Sequence, residues 1–148
     1  MRLFVVNGPN LNLLGTREPQ IYGSQSLDDI QRMVDDRAKE LGVELEWRQS
    51  NHEGGVVDSI QESASADGLI LNAAALTHGS LSVRDALLAV DVPFVEVHLS
   101  NIFAREPERR KSVMADIAIG VIAGFGAKSY VLGLESLVDY LRLREGSG

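Results

Sequence analysis

Short apolar runs alternate with helical patterns from one end of the chain to the other. Residues 3–6 are apolar and β-branched and stop at the turn signal Asn7-Gly8-Pro9, so they read as a strand. No periodic pattern follows until about Gln25, which predicts a long loop. Ser26 with Asp29 has the form of a capping box. Leu27, Ile30, Val34, Ala38 and Leu41 then line one helical face, and Gly42 is placed to stop that helix. Residues 43–48 alternate strictly, Val43, Leu45 and Trp47 against Glu44, Glu46 and Arg48, as a half-exposed strand at a sheet edge does. A helix is predicted after Gly55, with Val56, Val57, Ile60 and Ala64 facing inward. Residues 69–71 form a buried strand ending at Asn72, 81–90 a helix, and 94–97 a strand ending at His98. A fifth strand is predicted over 117–122, running into Gly124-Phe125-Gly126, and a last helix over about 128–143.

Five strands alternating with helices predict one α/β domain of the doubly wound kind, its parallel sheet covered on both faces. Ligands of such folds bind beyond the carboxyl ends of the strands. Polar residues collect there: Asn7 and Asn10 after the first strand, Ser50-Asn51-His52 after the second, Asn72 after the third, His98 and Ser100 after the fourth.

Composition removes several classes of chemistry. A net charge of −7 lacks the basic footprint of a nucleic-acid binder. With no cysteine there is no disulfide, thiolate metal site or cysteine nucleophile, and the reducing cytoplasm suits such a chain. No window approaches a membrane span, and the N-terminal apolar run is too short for a signal-peptide core. No nucleotide fingerprint or close metal-ligand motif occurs, so neither a cofactor nor a metal is expected. Lysine is found only at positions 39, 111 and 128, each in a helical or strongly charged setting. Imine chemistry, which needs a desolvated lysine, is therefore not expected.

Four segments carry candidate chemistry. The loop from Asn7 to Gly23 holds Arg17 and Tyr22. A tyrosine serves as a base only where a neighbouring cation favours the phenolate, and Arg17 is near enough in sequence to supply one. From spacing alone a solvated loop with an unrelated Arg and Tyr is the commoner outcome, and that alternative stays open. Asn72 and His78 flank a turn before the next helix, where they suit either ligand binding or simple helix capping. Glu96 and His98 lie two apart on a strand and share a face, the arrangement in which a carboxylate orients an imidazole for acid catalysis. A histidine satisfied within the core is the alternative. Arg105, Arg109 and Arg110 suit an anion or a solvated basic stretch.

Taken together, NGPNLNLLGTREPQIYG, QSNHEG, LNAAALTHGS, EVHLSNIFAREPERR and GVIAGFGAKSY resemble type II 3-dehydroquinate dehydratase over almost the whole chain. The resemblance implies a flavodoxin-like domain that forms trimers, four of which make a dodecamer. It also implies cofactor-free anti elimination of water from 3-dehydroquinate through an enolate. Carried over by residue, Tyr22 is the base, Arg17 holds it as phenolate, and Asn10 positions a water on the enolate oxygen. His98, oriented by Glu96, protonates the departing hydroxyl. Asn72, His78 and Arg109 bind the substrate together with the backbone of Leu99 and Ser100, and Asp85 reaches a neighbouring subunit's site. The chain departs from the family at Ala73-Ala74-Ala75, Gly79, Phe103, Glu108 and Arg110-Lys111, where the pocket wall and arginine segment lie. A positive φ at Ala74 would cost on the order of 1–2 kcal/mol. Two other readings remain: a diverged dehydratase of a related cyclic hydroxy-keto acid, and a non-catalytic binder of small acids. A binder has no need of both a base and an acid.

Overall fold

The computed structural model describes residues 1–16, 18–22 and 24–147, without the side chains of Pro19, Tyr22 and Ser147. Five strands form one parallel sheet: β1 (Arg2–Asn7), β2 (Glu44–Gln49), β3 (Gly68–Asn72), β4 (Phe94–His98) and β5 (Gly120–Ala123), in the order β2-β1-β3-β4-β5. This is the flavodoxin-like order. β1, β3 and β4 are nearly continuous apolar runs because helices cover both of their faces, and almost every residue in them is buried. β2 alternates because it is an edge, as its sequence predicts.

Helices α2 (Leu27–Leu41) and α5 (Lys128–Ser147) pack on one face, around Leu3, Val5, Val34, Ile70 and Leu134. On the other face α3 (Glu53–Glu62) and α4 (Leu81–Val90) enclose Phe4, Ile60, Leu71, Val83 and Phe94. The capping box of α2 is formed: Ser26 Oγ accepts from the Asp29 amide at 3.1 Å, and the Asp29 carboxylate accepts from the Ser26 amide at 3.0 Å. Those bonds hold the Asp29 carboxyl below its ordinary range. Gly42 ends α2 in the left-handed region, with φ 72°.

The structure differs from the sequence expectations in four places. The segment before Gln25 contains a 3-10 turn at Leu11–Leu13 and a one-turn helix, α1 (Pro19–Tyr22). α3 begins at Glu53, before Gly55, and ends where the Ser63 hydroxyl bonds the Ile60 carbonyl at 2.6 Å. The chain then turns, so Ser63 is buried and Ala64 is exposed instead of facing inward. β5 takes only the end of the apolar run 117–122, because Arg84 on α4 holds the Val113 carbonyl and pairs with Asp116, keeping that stretch off the sheet. α5 continues beyond residue 143, since no proline or turn signal precedes Gly146. Among the described residues no helix is long and apolar enough to cross a membrane.

The sheet register brings the functional strand ends together. Asn7 pairs with both Gln49 and Asn72, and His98 lies at the same edge as the last residue of β4. Gly8 permits the close approach of the first and third strand ends: its amide bonds the Asn72 carbonyl at 2.8 Å, and a Cβ there would stand 2.4 Å from the Ala73 oxygen.

Candidate active site

Beyond those strand ends lies a pocket lined by Asn10, Asn72, His78, His98, Leu99, Ser100, Arg105 and Arg109, with Ala74 and Ala75 in its wall. Residues from four separate segments, all named from the sequence, meet there. The loop after β1 is stapled to the end of β2. Asn51 Oδ1 accepts from the Asn10 amide at 2.9 Å and from Gln49 Nε2 at 3.0 Å, and Gln49 also donates to the Gly8 carbonyl at 3.2 Å. Asn10 adopts φ 71°, a left-handed conformation that asparagine tolerates.

β4 supplies the charged pair. Glu96 and His98 extend from one face of the strand, with His98 Nε2 and Glu96 Oε2 2.6 Å apart. Glu96 is 0% and His98 4% exposed. A carboxylate oxygen accepts, so Nε2 carries the proton of that bond and Nδ1 is the ring nitrogen left for a ligand. The other carboxylate oxygen, Oε1, accepts from the Ser112 hydroxyl at 2.7 Å. Sequence periodicity found the Glu96–His98 pair but not Ser112, whose partner is remote along the chain.

His78 ends the 3-10 turn Ala74–His78. Its Nδ1 lies 2.7 Å from the Lys111 carbonyl, which can only accept, so Nε2 is the acceptor nitrogen of the neutral ring. Ala74 at the start of that turn adopts φ 52°. The Asn72 Oδ1 accepts from the Ala74 amide at 3.1 Å and supports the conformation, at a cost of about 1 kcal/mol relative to glycine.

Asn72 is also the end of a buried chain. Its Nδ2 donates to the Tyr130 hydroxyl at 2.9 Å, Tyr130 donates to Asn7 Oδ1 at 2.6 Å, and Asn7 Nδ2 donates to the Arg48 carbonyl at 3.2 Å. Tyr130 is fully buried, and burial pushes its phenol above the ordinary tyrosine value despite the bond from Asn72, so it stays protonated and remains a donor. Tyr130 closes the GVIAGFGAKSY segment, but its place among apolar positions of α5 gives it no role from the sequence alone. Tyr130→Phe is expected to lose about 1–3 kcal/mol, because the amides of Asn7 and Asn72 lose their shared partner in a buried place. Urea titration of the two proteins measures that difference.

The remaining predicted residues fall differently. Arg109 lines the pocket, and its Nε donates to the Glu106 carboxylate one turn before it. The Glu106 carboxyl sits below its ordinary range, first because of its own backbone amide and then because of Arg109. Asp85 is exposed on α4 and does not line the pocket of its own chain. Arg17 and the side chain of Tyr22 lie outside the described residues. His52 is exposed and precedes α3 without a side-chain cap bond. No group of three or more His, Asp or Glu among the described residues is arranged to hold a metal ion.

Fold and site together define a flavodoxin-like α/β protein with a pocket of histidines, asparagines and arginines at the carboxyl edge of its sheet. The family description Dehydroquinase class II matches residues 1–138, and the chain belongs to that family. A 3-dehydroquinate dehydratase of Prochlorococcus marinus is 53% identical over 98% of this chain and 99% of its own length. One from a Synechococcus species is 54% identical over 96% of this chain and 97% of its own. The crystal structure of a type II dehydroquinase from Butyrivibrio crossotus superposes with a TM-score of 0.90 at 41% identity, covering 93% of this chain and 97% of the other.

Proposed function

We propose that this chain, acting as one catalytic domain over residues 1–148, removes water from 3-dehydroquinate to give 3-dehydroshikimate by anti elimination. The observation that carries the reading is the buried Glu96–His98 pair at the wall of a pocket with His78, Asn72 and Arg109, in a member of the dehydroquinase family. Tyr22 as phenolate, held in that form by Arg17, takes a proton from C2 next to the ketone. The C–H electron pair passes to the ketone oxygen, and a water positioned by Asn10 stabilises the enolate. The enolate then collapses and the C1–O bond breaks. His98 gives its proton to the departing hydroxyl, which leaves as water. The enone remains, and solvent exchange returns the tyrosine and histidine to their starting forms. Asn72, His78, Arg109 and the backbone of Leu99 and Ser100 hold the substrate's hydroxyls and carboxylate.

No imine or metal is needed in this scheme. All three lysines are exposed and none lines the pocket, which fits a route without a Schiff base. The same chemistry serves the shikimate route to chorismate and aromatic amino acids, and quinate breakdown, in the cytoplasm. The proposed assembly is a dodecamer of four trimers, with Asp85 of one subunit at its neighbour's pocket. On α4, Asp85 shares a face with Leu81 and Leu88, 65% and 52% exposed, as a contact between subunits would use. A related cyclic hydroxy-keto acid is the second reading for the substrate, favoured by Ala74 in the pocket wall and by Phe103, 60% exposed, beside the arginine segment.

The test uses 3-dehydroquinate carrying deuterium at C2, either anti or syn to the C1 hydroxyl, and enzyme first treated with borohydride in the presence of substrate and then freed of both. Loss of the anti label at full activity is expected. Loss of the syn label, or inactivation by borohydride, would contradict the mechanism.

A further inference from the structure

Glu96 is wholly buried between two partners, and only one of them is a histidine. A buried carboxylate beside an imidazole has two ways to hold their shared proton. It can stay on the ring, leaving an ion pair, or move to the carboxylate, leaving a neutral pair, and a dry setting favours the second. For His98 to act as an acid the proton must stay on the ring. A hydrogen bond donated to a carboxylate favours its ionised form. The question is therefore whether Ser112 donates to Glu96 or merely shares space with it.

The geometry around the hydroxyl answers it. Ser112 Oγ accepts from the Met114 amide at 3.2 Å and from the Ala115 amide at 3.0 Å. A hydroxyl has two acceptor positions and one proton. Both acceptor positions are occupied by groups that can only donate, so the proton goes to Glu96 Oε1, 2.7 Å away. Ser112 cannot turn round to accept from a protonated Glu96 without giving up a backbone partner. It penalises protonation at Oε1 while His98 holds Oε2.

We propose that Ser112 is a positioning residue, acting through Glu96, that keeps the transferable proton on His98. The preceding residue does the equivalent for the second histidine, since the Lys111 carbonyl fixes the Nδ1–H tautomer of His78. Residues 111 and 112 thus set the proton positions of both pocket histidines. They follow Arg109, so the segment that brings an arginine to the pocket also primes its acid. Among the described residues, the charged and titratable groups facing the pair across the pocket are His78, Arg105 and Arg109. The inference rests on the reading of His98 as the general acid.

The experiment measures kcat and KM for 3-dehydroquinate across pH for the intact enzyme, Ser112→Ala, Ser112→Thr and His98→Asn. Ser112→Ala is expected to lower kcat about tenfold, the effect of losing one charge-assisted hydrogen bond, with KM within about twofold. Its alkaline limb is expected to move to higher pH, because a carboxylate with one donor fewer binds the pair's proton more tightly. Ser112→Thr, which keeps the hydroxyl, is expected to retain the wild-type limb. An unmoved limb in Ser112→Ala, or an equal displacement in Ser112→Thr, overturns the role of Ser112. If His98→Asn still keeps full rate and the alkaline limb, the acid reading itself falls. Should Ser112→Ala fail to fold, imidazole nitrogen shifts of the wild-type enzyme decide. A cationic His98 ring as pH is lowered supports the proposal, and a ring that stays neutral while Glu96 protonates overturns it.

Discussion

Tyr22→Phe is expected to lower kcat by at least about a thousandfold and leave the affinity for 3-dehydroquinate within a few-fold of wild type. The substitution deletes one oxygen and keeps the ring, so it removes the proton acceptor with little change in shape. A positioned acid or base contributes roughly 10²–10⁴ to rate. The upper part of that range applies here, because a phenolate is a far stronger base than a neutral imidazole, and the acceptor nitrogen of His78 is the alternative the pocket offers. A phenol ordinarily ionises near pH 10, so the role also requires Arg17 to favour the phenolate. Single-turnover rates and calorimetric binding of the substrate separate the two effects. Weakened binding with intact chemistry, or an unchanged rate, would count against Tyr22 as the base.

His98→Gln is expected to lower kcat by roughly 10²–10³ while leaving a folded protein, and His98→Ala is expected to lose stability as well. Hydroxide leaves poorly, so the C1–O bond needs a proton from the face opposite the base. Gln, whose amide nitrogen can stand where Nε2 does, can still donate an amide proton to Glu96 Oε2 but cannot deliver one to the substrate. Ala withdraws one of the two donors that hold a wholly buried carboxylate. Breaking a buried pair in this way costs about 3–5 kcal/mol when the remaining charge is left alone, and less here because Ser112 stays in place. Thermal melts beside steady-state rates distinguish the two variants. A His98→Ala protein as stable as wild type would mean that His98 contributes nothing to holding Glu96.

Much of this architecture is legible in the chain because it is local. Ser26, Asp29 and Gly42 mark the ends of α2 through bonds made within one turn, and those bonds form as the residue types require. β3 and β4 are read from apolar runs that only a covered parallel sheet can bury. Glu96 and His98 are found by the two-residue period of a strand. What escapes the sequence is non-local. Ser112 and Tyr130 act on partners brought near only by the fold, and neither residue type is unusual where it stands. The run 117–122 has the composition of a strand throughout, yet Arg84 and Asp116 hold the preceding segment to α4 and shorten β5. The roles of Arg17 and Tyr22 come from family resemblance, since spacing alone favoured an ordinary loop. Asp85 is exposed on α4 and is not among the described residues that line its own subunit's pocket, which is why its role belongs to the proposed assembly.

The most direct test of the central claim is the growth of ultraviolet absorbance from a conjugated enone carboxylate after the protein is mixed with 3-dehydroquinate and a chelator. Steady growth to equilibrium is the expected result, and its loss in Tyr22→Phe would tie the activity to this pocket. An unchanged spectrum with folded, assembled wild-type protein would contradict the account, and would direct attention to substrates that fit a wall altered at Ala74 and Phe103.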